Sequence, residues 1–280
     1  MTNKSVLQKY IAPFLTVPFA FLKKDLIMDT SYRISFVTRW IGIVISVITF
    51  YYLSHLIYPA SSGYLAPYGG DYFSFVVIGL AAISYLNSNV HGFVGTVLME
   101  QRSGAMEIFL TSPTKISVLF FGFCLHNIVM GILAATLYML LGVLLGIQLS
   151  HVSVLAVTVI FVLGSLCFLS LGALASSFII AFRRGDPVTW VVTNVFWLLG
   201  GAYFPITVFP KTIQKISYLL PSTYIFDSLR FALLKGYSFE MLWGHISTLG
   251  FFALVLISFS VGALQSALYY ARKRGSITFH

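Results

Sequence analysis

From Ile116 to Phe182 the chain runs for 67 residues without a single Asp, Glu, Lys or Arg. A soluble domain is roughly 25% charged and interrupts its apolar stretches at every turn of surface. This chain is 9% charged and 58% hydrophobic over 280 residues, with a mean hydropathy of +0.91. Those values exclude a soluble enzyme, a disordered tail and a fibrous protein, and leave an integral membrane protein. A helix crosses the hydrocarbon core with about 20 apolar residues, so the 67-residue run fits two spans joined by a turn. Gly146-Ile147-Gln148-Leu149-Ser150-His151 supplies that turn.

The same reading along the whole chain predicts six spans, at about 36–58, 72–98, 115–146, 151–182, 187–207 and 241–271. Backbone groups in lipid must bond within their own segment, and no period-two polar alternation is visible, so the expected fold is an all-α membrane protein: a single transmembrane domain over 1–280. Six spans put both termini on one side. That side carries thirteen of the seventeen Lys and Arg residues, and the other carries only Lys211, Lys215, Arg230 and Lys235. The excess of positive charge predicts that the first side is cytoplasmic. No run of five basic residues occurs, so the net charge of +9 reads as membrane topology and no nucleic-acid partner is expected. Met1 to Tyr10 lacks the apolar core of a signal peptide. Cys124 and Cys167 lie inside apolar runs and read as small core residues.

Three segments outside the spans have a character of their own. In Phe14 to Tyr32 the apolar residues Leu15, Phe19, Leu22 and Leu26 recur at helical spacing, with Lys23, Lys24, Asp25 and Asp29 largely off that stripe. This predicts an amphipathic helix lying in the membrane interface. Residues 99–113 read as a short polar helix ended by Pro113, with Glu100, Gly104 and Glu107 on one face. That face suits docking onto a basic groove of a partner; the alternative is a solvated connector. Residues 205–240 form a long outer connection punctuated by Pro205, Pro210 and Pro221, whose short apolar runs predict re-entrant or interfacial helices before the sixth span. Asp227 and Arg230, three residues apart, are expected to form an exposed pair there, contributing about 0–1 kcal/mol.

No charge falls near the centre of a span, which disfavours an ion or proton relay; Arg39, near a span end, snorkels. The neutral polar residues Tyr85, Asn87, Asn89, Asn127 and Asn194 read first as interhelical hydrogen-bonding groups. The six histidines make no ligand pair at i,i+4 or with a Cys or carboxylate, so no metal site is expected.

The stretch Glu100-Gln101-Arg102-Ser103-Gly104-Ala105-Met106-Glu107-Ile108-Phe109-Leu110-Thr111-Ser112-Pro113 resembles a signature of ABC-2-type transporter permeases, Glu-x-x-x-Gly-Thr-x-Glu-x-Leu-x-x-(Ser/Thr)-Pro. It departs from that pattern at Ala105 and at Phe109-Leu110. A second stretch resembles the same family on the opposite face: Pro205 and Pro210, then Pro221-Ser222-Thr223-Tyr224, then Asp227, Arg230 and Gly236. The resemblance implies a permease subunit of an ATP-binding cassette exporter, working as a homo- or heterodimer on separate cytoplasmic ATPase subunits in the cell membrane. It implies that the amphipathic helix and Glu100, Gly104, Glu107, Ser112 and Pro113 couple the chain to the ATPase. It implies an outer gate at Pro205, Pro210, Pro221, Asp227 and Arg230, and makes Tyr85, Asn87, Asn194, Trp197 and Tyr203 candidates for the translocation path.

The chain contains no Gly-x-x-x-x-Gly-Lys-(Ser/Thr) loop, nor any Gly-Lys pair. ATP and Mg are therefore expected on the partner subunit, with no cofactor on this chain and no enzymatic activity of its own. The alternative readings are a secondary transporter or channel, and, more remotely, an intramembrane serine protease built on Ser165 and His245.

Overall fold

The computed structural model describes residues 18–102, 116–182 and 186–273, and among these the regular structure is helical throughout. Residues 18–31 form α1. Then come α2 (Arg33–Leu65), α3 (Tyr72–Arg102), α4 (Ile116–Leu144), α5 (Val154–Phe182), α6 (Pro187–Leu199), α7 (Lys211–Ser217), α8 (Pro221–Leu234) and α9 (Trp243–Lys273). Short 3-10 turns at Ala66–Tyr68 and Ile206–Val208 join them.

Five of these helices, α2, α3, α4, α5 and α9, are long and apolar enough to cross a bilayer. The centre is α3. Phe75, Val76, Val77 and Ile78 occupy four successive positions, and all are fully buried, as in a helix surrounded by protein on every side. α4 and α5 both pack on α3, α9 packs on α5, and α2 leans against α3 and α4. Close approach of α5 to α3 depends on small residues: a Cβ at Gly172 would meet the Val90 carbonyl at 3.2 Å, and Ser165, Ser170, Ala173, Ala175, Ser176 and Ser177 are all buried along the same helix. Small interfacial residues are how membrane helices gain van der Waals contact without a hydrophobic driving force. The predicted turn after α4 is present. Gly146 takes φ +112, and the Ile147 amide reaches back to the Gly142 carbonyl at 3.0 Å, closing the helix with a Schellman motif.

The fifth predicted span differs from expectation. α6 holds only 13 residues, about 20 Å of rise against the roughly 30 Å of a hydrocarbon core. It stops at Gly200 and Gly201. Gly201 has φ +82, and the Ala202 amide bonds the Trp197 carbonyl at 3.2 Å, another Schellman ending. From Gly200 to Pro205 the chain therefore continues as non-helical backbone, satisfied in part by the contacts described below, before the 3-10 turn at Ile206–Val208. At the other end α3 runs on to Arg102, so residues 99–102 continue the helix of the second span, whose apolar part ends at Glu100. Residues 103–115 lie outside the described residues.

α1 inverts the usual arrangement of an amphipathic helix on a protein. Phe19 and Ile27 on its apolar side are 60% and 55% exposed, while Lys24, Asp25 and Asp29 face the bundle. Such a helix is held to protein by charge and presents its apolar stripe to the surrounding bilayer interface.

Candidate functional sites at the two ends of the bundle

At the end where α6 breaks, the segment Pro221-Ser222-Thr223-Tyr224 opens α8. Pro221 sits at the first helical position, where its missing N–H costs nothing. The next three side chains each donate to a carbonyl near a helix C-terminus: Ser222 Oγ to Phe196 on α6 at 3.0 Å, Thr223 Oγ1 to Ser217 on α7 at 2.6 Å, and the Tyr224 hydroxyl to Tyr218 just after α7 at 3.0 Å; the first two carbonyls also accept the Gly200 and Leu220 amides. Carbonyls at helix C-termini have lone pairs to spare, and these bonds tie α8 to the ends of α6 and α7. Pro210 precedes α7, and Pro205 precedes the 3-10 turn, so the three prolines mark three changes of chain direction.

Arg230 completes this end, and its setting overturns the expected exposed pair. It is fully buried. Its Nε donates to the Phe75 carbonyl at 3.1 Å, Nη1 to Gly201 at 2.8 Å and Nη2 to Ala202 at 2.7 Å. The guanidinium lies 3.4 Å from the centre of the Phe75 ring, a cation–π contact in a desolvated site. Burial pushes its pKa down to about 10, so it remains charged at neutral pH. Asp227 is 3.9 Å from Nη1 and instead accepts a 2.8 Å bond from the Tyr68 hydroxyl. Burial raises the Asp227 carboxyl above its usual range, against the opposing pull of Arg230, and burial also raises the Tyr68 phenol. The fork geometry of Arg thus serves the broken backbone after α6, and the carboxylate ties α8 to the 3-10 turn after α2. Tyr68 carried no sequence signal because its partner is 159 positions away.

The end holding α1 is built from ion pairs. Lys24 Nζ meets Glu100 Oε1 at 2.7 Å, joining α1 to the last turns of α3. Asp29 lies between His126 of α4 at 3.2 Å and Arg39 of α2 at 3.7 Å. Gly122 lets α1 come close, since a Cβ there would meet the Phe21 ring at 2.8 Å. Burial raises the Asp25 carboxyl above its ordinary value, with Lys24 pulling it down. Glu100, expected to face a partner, is instead 5% exposed and engaged with α1. Gly104, Glu107, Ser112 and Pro113 lie outside the described residues. A charge reversal tests the link: Lys24→Glu is expected to destabilise by roughly 1 kcal/mol, and adding Glu100→Lys to restore most of it. A double-mutant cycle on thermal midpoints measures the coupling, and additive effects would dismiss it.

The five path candidates have separate surroundings within the single chain. The Tyr85 hydroxyl meets Ser165 of α5. Asn87 accepts from the Trp197 indole at 3.1 Å, and Trp197, 3% exposed, stacks on Phe168. Tyr203 stacks against Phe50 of α2. Asn194 bonds the Trp190 carbonyl of its own helix at 2.8 Å and points outward. The Ser165 hydroxyl donates to the Phe161 carbonyl at 2.8 Å, whereas the His245 ring sits against Tyr224 and Phe231. That is not the nucleophile–base geometry of a serine protease.

The sequence model described as ABC-2 type transporter matches residues 18–234. Among characterised proteins, the chain is similar to Nodulation protein J of Sinorhizobium fredii, at 27% identity over 203 residues, which covers 71% of this chain and 76% of that protein.

Proposed function

The chain belongs to the ABC-2 type transporter family, and from this we propose that it is the permease subunit of an ATP-binding cassette exporter, forming the path and taking its energy from separate cytoplasmic ATPase subunits. What carries the reading is the extent of the family match: residues 18–234 include the ion-paired α1, the stretch around Glu100 and the knitted segment after α6. The multi-pass bundle supports a passive body moved from outside, because it has two fastened ends and no nucleotide loop. ATP and Mg belong on the partner. In this reading the membrane is the cell membrane, both termini are cytoplasmic, and Glu100, Gly104, Glu107, Ser112 and Pro113 mark the coupling side. α1 passes displacement to α2, α3 and α4 through Asp29 and Lys24, a local event that biases a bistable bundle.

A second permease chain, the same or related, packs along α2 and α6. Ile34, Ile41, Ile45, Ile48 and Tyr52 on α2, with Trp190 and Leu198 on α6, are large apolar side chains left exposed, and this supports the assignment. Tagged chain purified from its native membrane is expected to bring down an ATPase, and Glu107→Lys to abolish that association while leaving the chain folded. Recovery of no ATPase with the parent chain, or an unchanged amount with Glu107→Lys, overturns the coupling. Transport driven by an ion gradient with no ATPase present would favour a secondary transporter.

A further inference from the structure

α4 and α5 are consecutive, yet they hardly pack on one another: α4 packs mainly on α3, and α5 on α9 and α3. Between them lies a cavity of about 1140 Å³ that α3 and α9 also border. It exceeds the roughly 300–1,000 Å³ of small-molecule pockets. Along α4 it extends from Cys124 to Met139, about 22 Å at helical rise. Its rims, Ile132, Val162, Leu166 and Val261, are between 38% and 52% exposed and lie within the spans, so it opens sideways into hydrocarbon.

The hydroxyls in its wall are all occupied. Thr136, Thr158, Ser170 and Ser260 donate to carbonyls of their own helices, and Ser165 does the same while meeting Tyr85. Their protons are committed, so an acceptor group such as a phosphate or carboxylate would find no donor among them, and an alkyl chain loses nothing. Polarity enters only at one end. Gln265 of α9 borders the cavity, and the same helix ends two turns later at Lys273, an exposed cation. Basic residues at a helix end attract anionic head groups.

We propose that this groove holds an acyl chain of an anionic phospholipid from the leaflet that the C-terminus of α9 reaches, with the phosphate at the basic end of that helix. The lipid closes the seam between α4 and α5, two helices that do not close it themselves. The site is independent of the coupling assignment above.

The test uses the full chain reconstituted in vesicles of equal parts phosphatidylglycerol and phosphatidylethanolamine, extracted in mild detergent and weighed by native mass spectrometry. One phosphatidylglycerol is expected to stay with each parent chain. Thr136→Trp or Val162→Trp, each on the exposed rim, is expected to fill the groove and remove bound lipid of both kinds with an unchanged thermal midpoint. Lys273→Gln is expected to keep a lipid while reducing the preference for phosphatidylglycerol about fivefold. No retained lipid in the parent, equal retention in both tryptophan variants, or cross-linking of Thr136→Cys across two chains would overturn it, the last by naming a second copy as the occupant.

Discussion

Arg230→Met is expected to cost about 3–5 kcal/mol of stability, the penalty for removing one partner of a buried charged network. The methionine has similar reach and no donors. It leaves the Gly201 and Ala202 carbonyls, which Arg230 holds at 2.8 and 2.7 Å, buried just where α6 has ended. A buried acceptor without a donor costs about 1–3 kcal/mol, and two are affected together. Arg230→Lys should fall between, since a single ammonium does not reproduce a planar fork aimed at three carbonyls. Thermal unfolding of the purified chain in detergent measures both. If Arg230→Met melts with the parent, the guanidinium is not what holds the broken segment.

Gly79→Val is expected to act on the same point from the opposite side. A Cβ at Gly79 would stand 2.9 Å from Arg230 Nη2 and overlap the Ala202 carbonyl oxygen. That carbonyl is pinned by Arg230, so it has no room to retreat, and overpacking of this kind costs about 1–3 kcal/mol. Gly95 on the same helix has open space around it. Gly95→Ala should be neutral or stabilising by up to about 1 kcal/mol from helix propensity. Because Gly79 and Arg230 share one partner, their effects should not add. Equal melting of Gly79→Val and Gly95→Ala, or strict additivity with Arg230→Met, would remove the shared carbonyl from the explanation.

The fold was largely legible from charge placement. Runs without Asp, Glu, Lys or Arg bound four of the long helices within a few residues, because a charge in hydrocarbon is expensive wherever it falls. The turn at Gly146 was legible from a different signal: Gly146, Gln148, Ser150 and His151 cluster within six residues near the middle of the 67-residue run. What composition could not show was the helix break after Leu199. The apolar run continues through Gly200 and Ala202, and a hydropathy window does not register that Gly201 has turned to positive φ. Nor could it show that Arg230 is buried, since its acceptors are carbonyls, which every residue owns. The prolines at 205, 210 and 221 did mark the turns. The site at the other end was half legible. Lys24 and Asp29 stood off the apolar stripe, and only the packing of α1 reveals that they serve Glu100 and His126, 76 and 97 positions away.

The short α6 has a consequence for how the chain is made. Thirteen residues do not span the hydrocarbon, and the backbone that follows them is not self-satisfied. Its donors reside on Arg230, which leaves the ribosome 29 and 28 positions after the carbonyls it serves. Until α8 is synthesised, α6 has no means of remaining at its final depth as an independent span. Membrane insertion of this segment is therefore expected to be a cooperative, late event. On that expectation α6, α7 and α8 enter as one unit, and truncating the chain before residue 230 should leave α6 without a fixed depth.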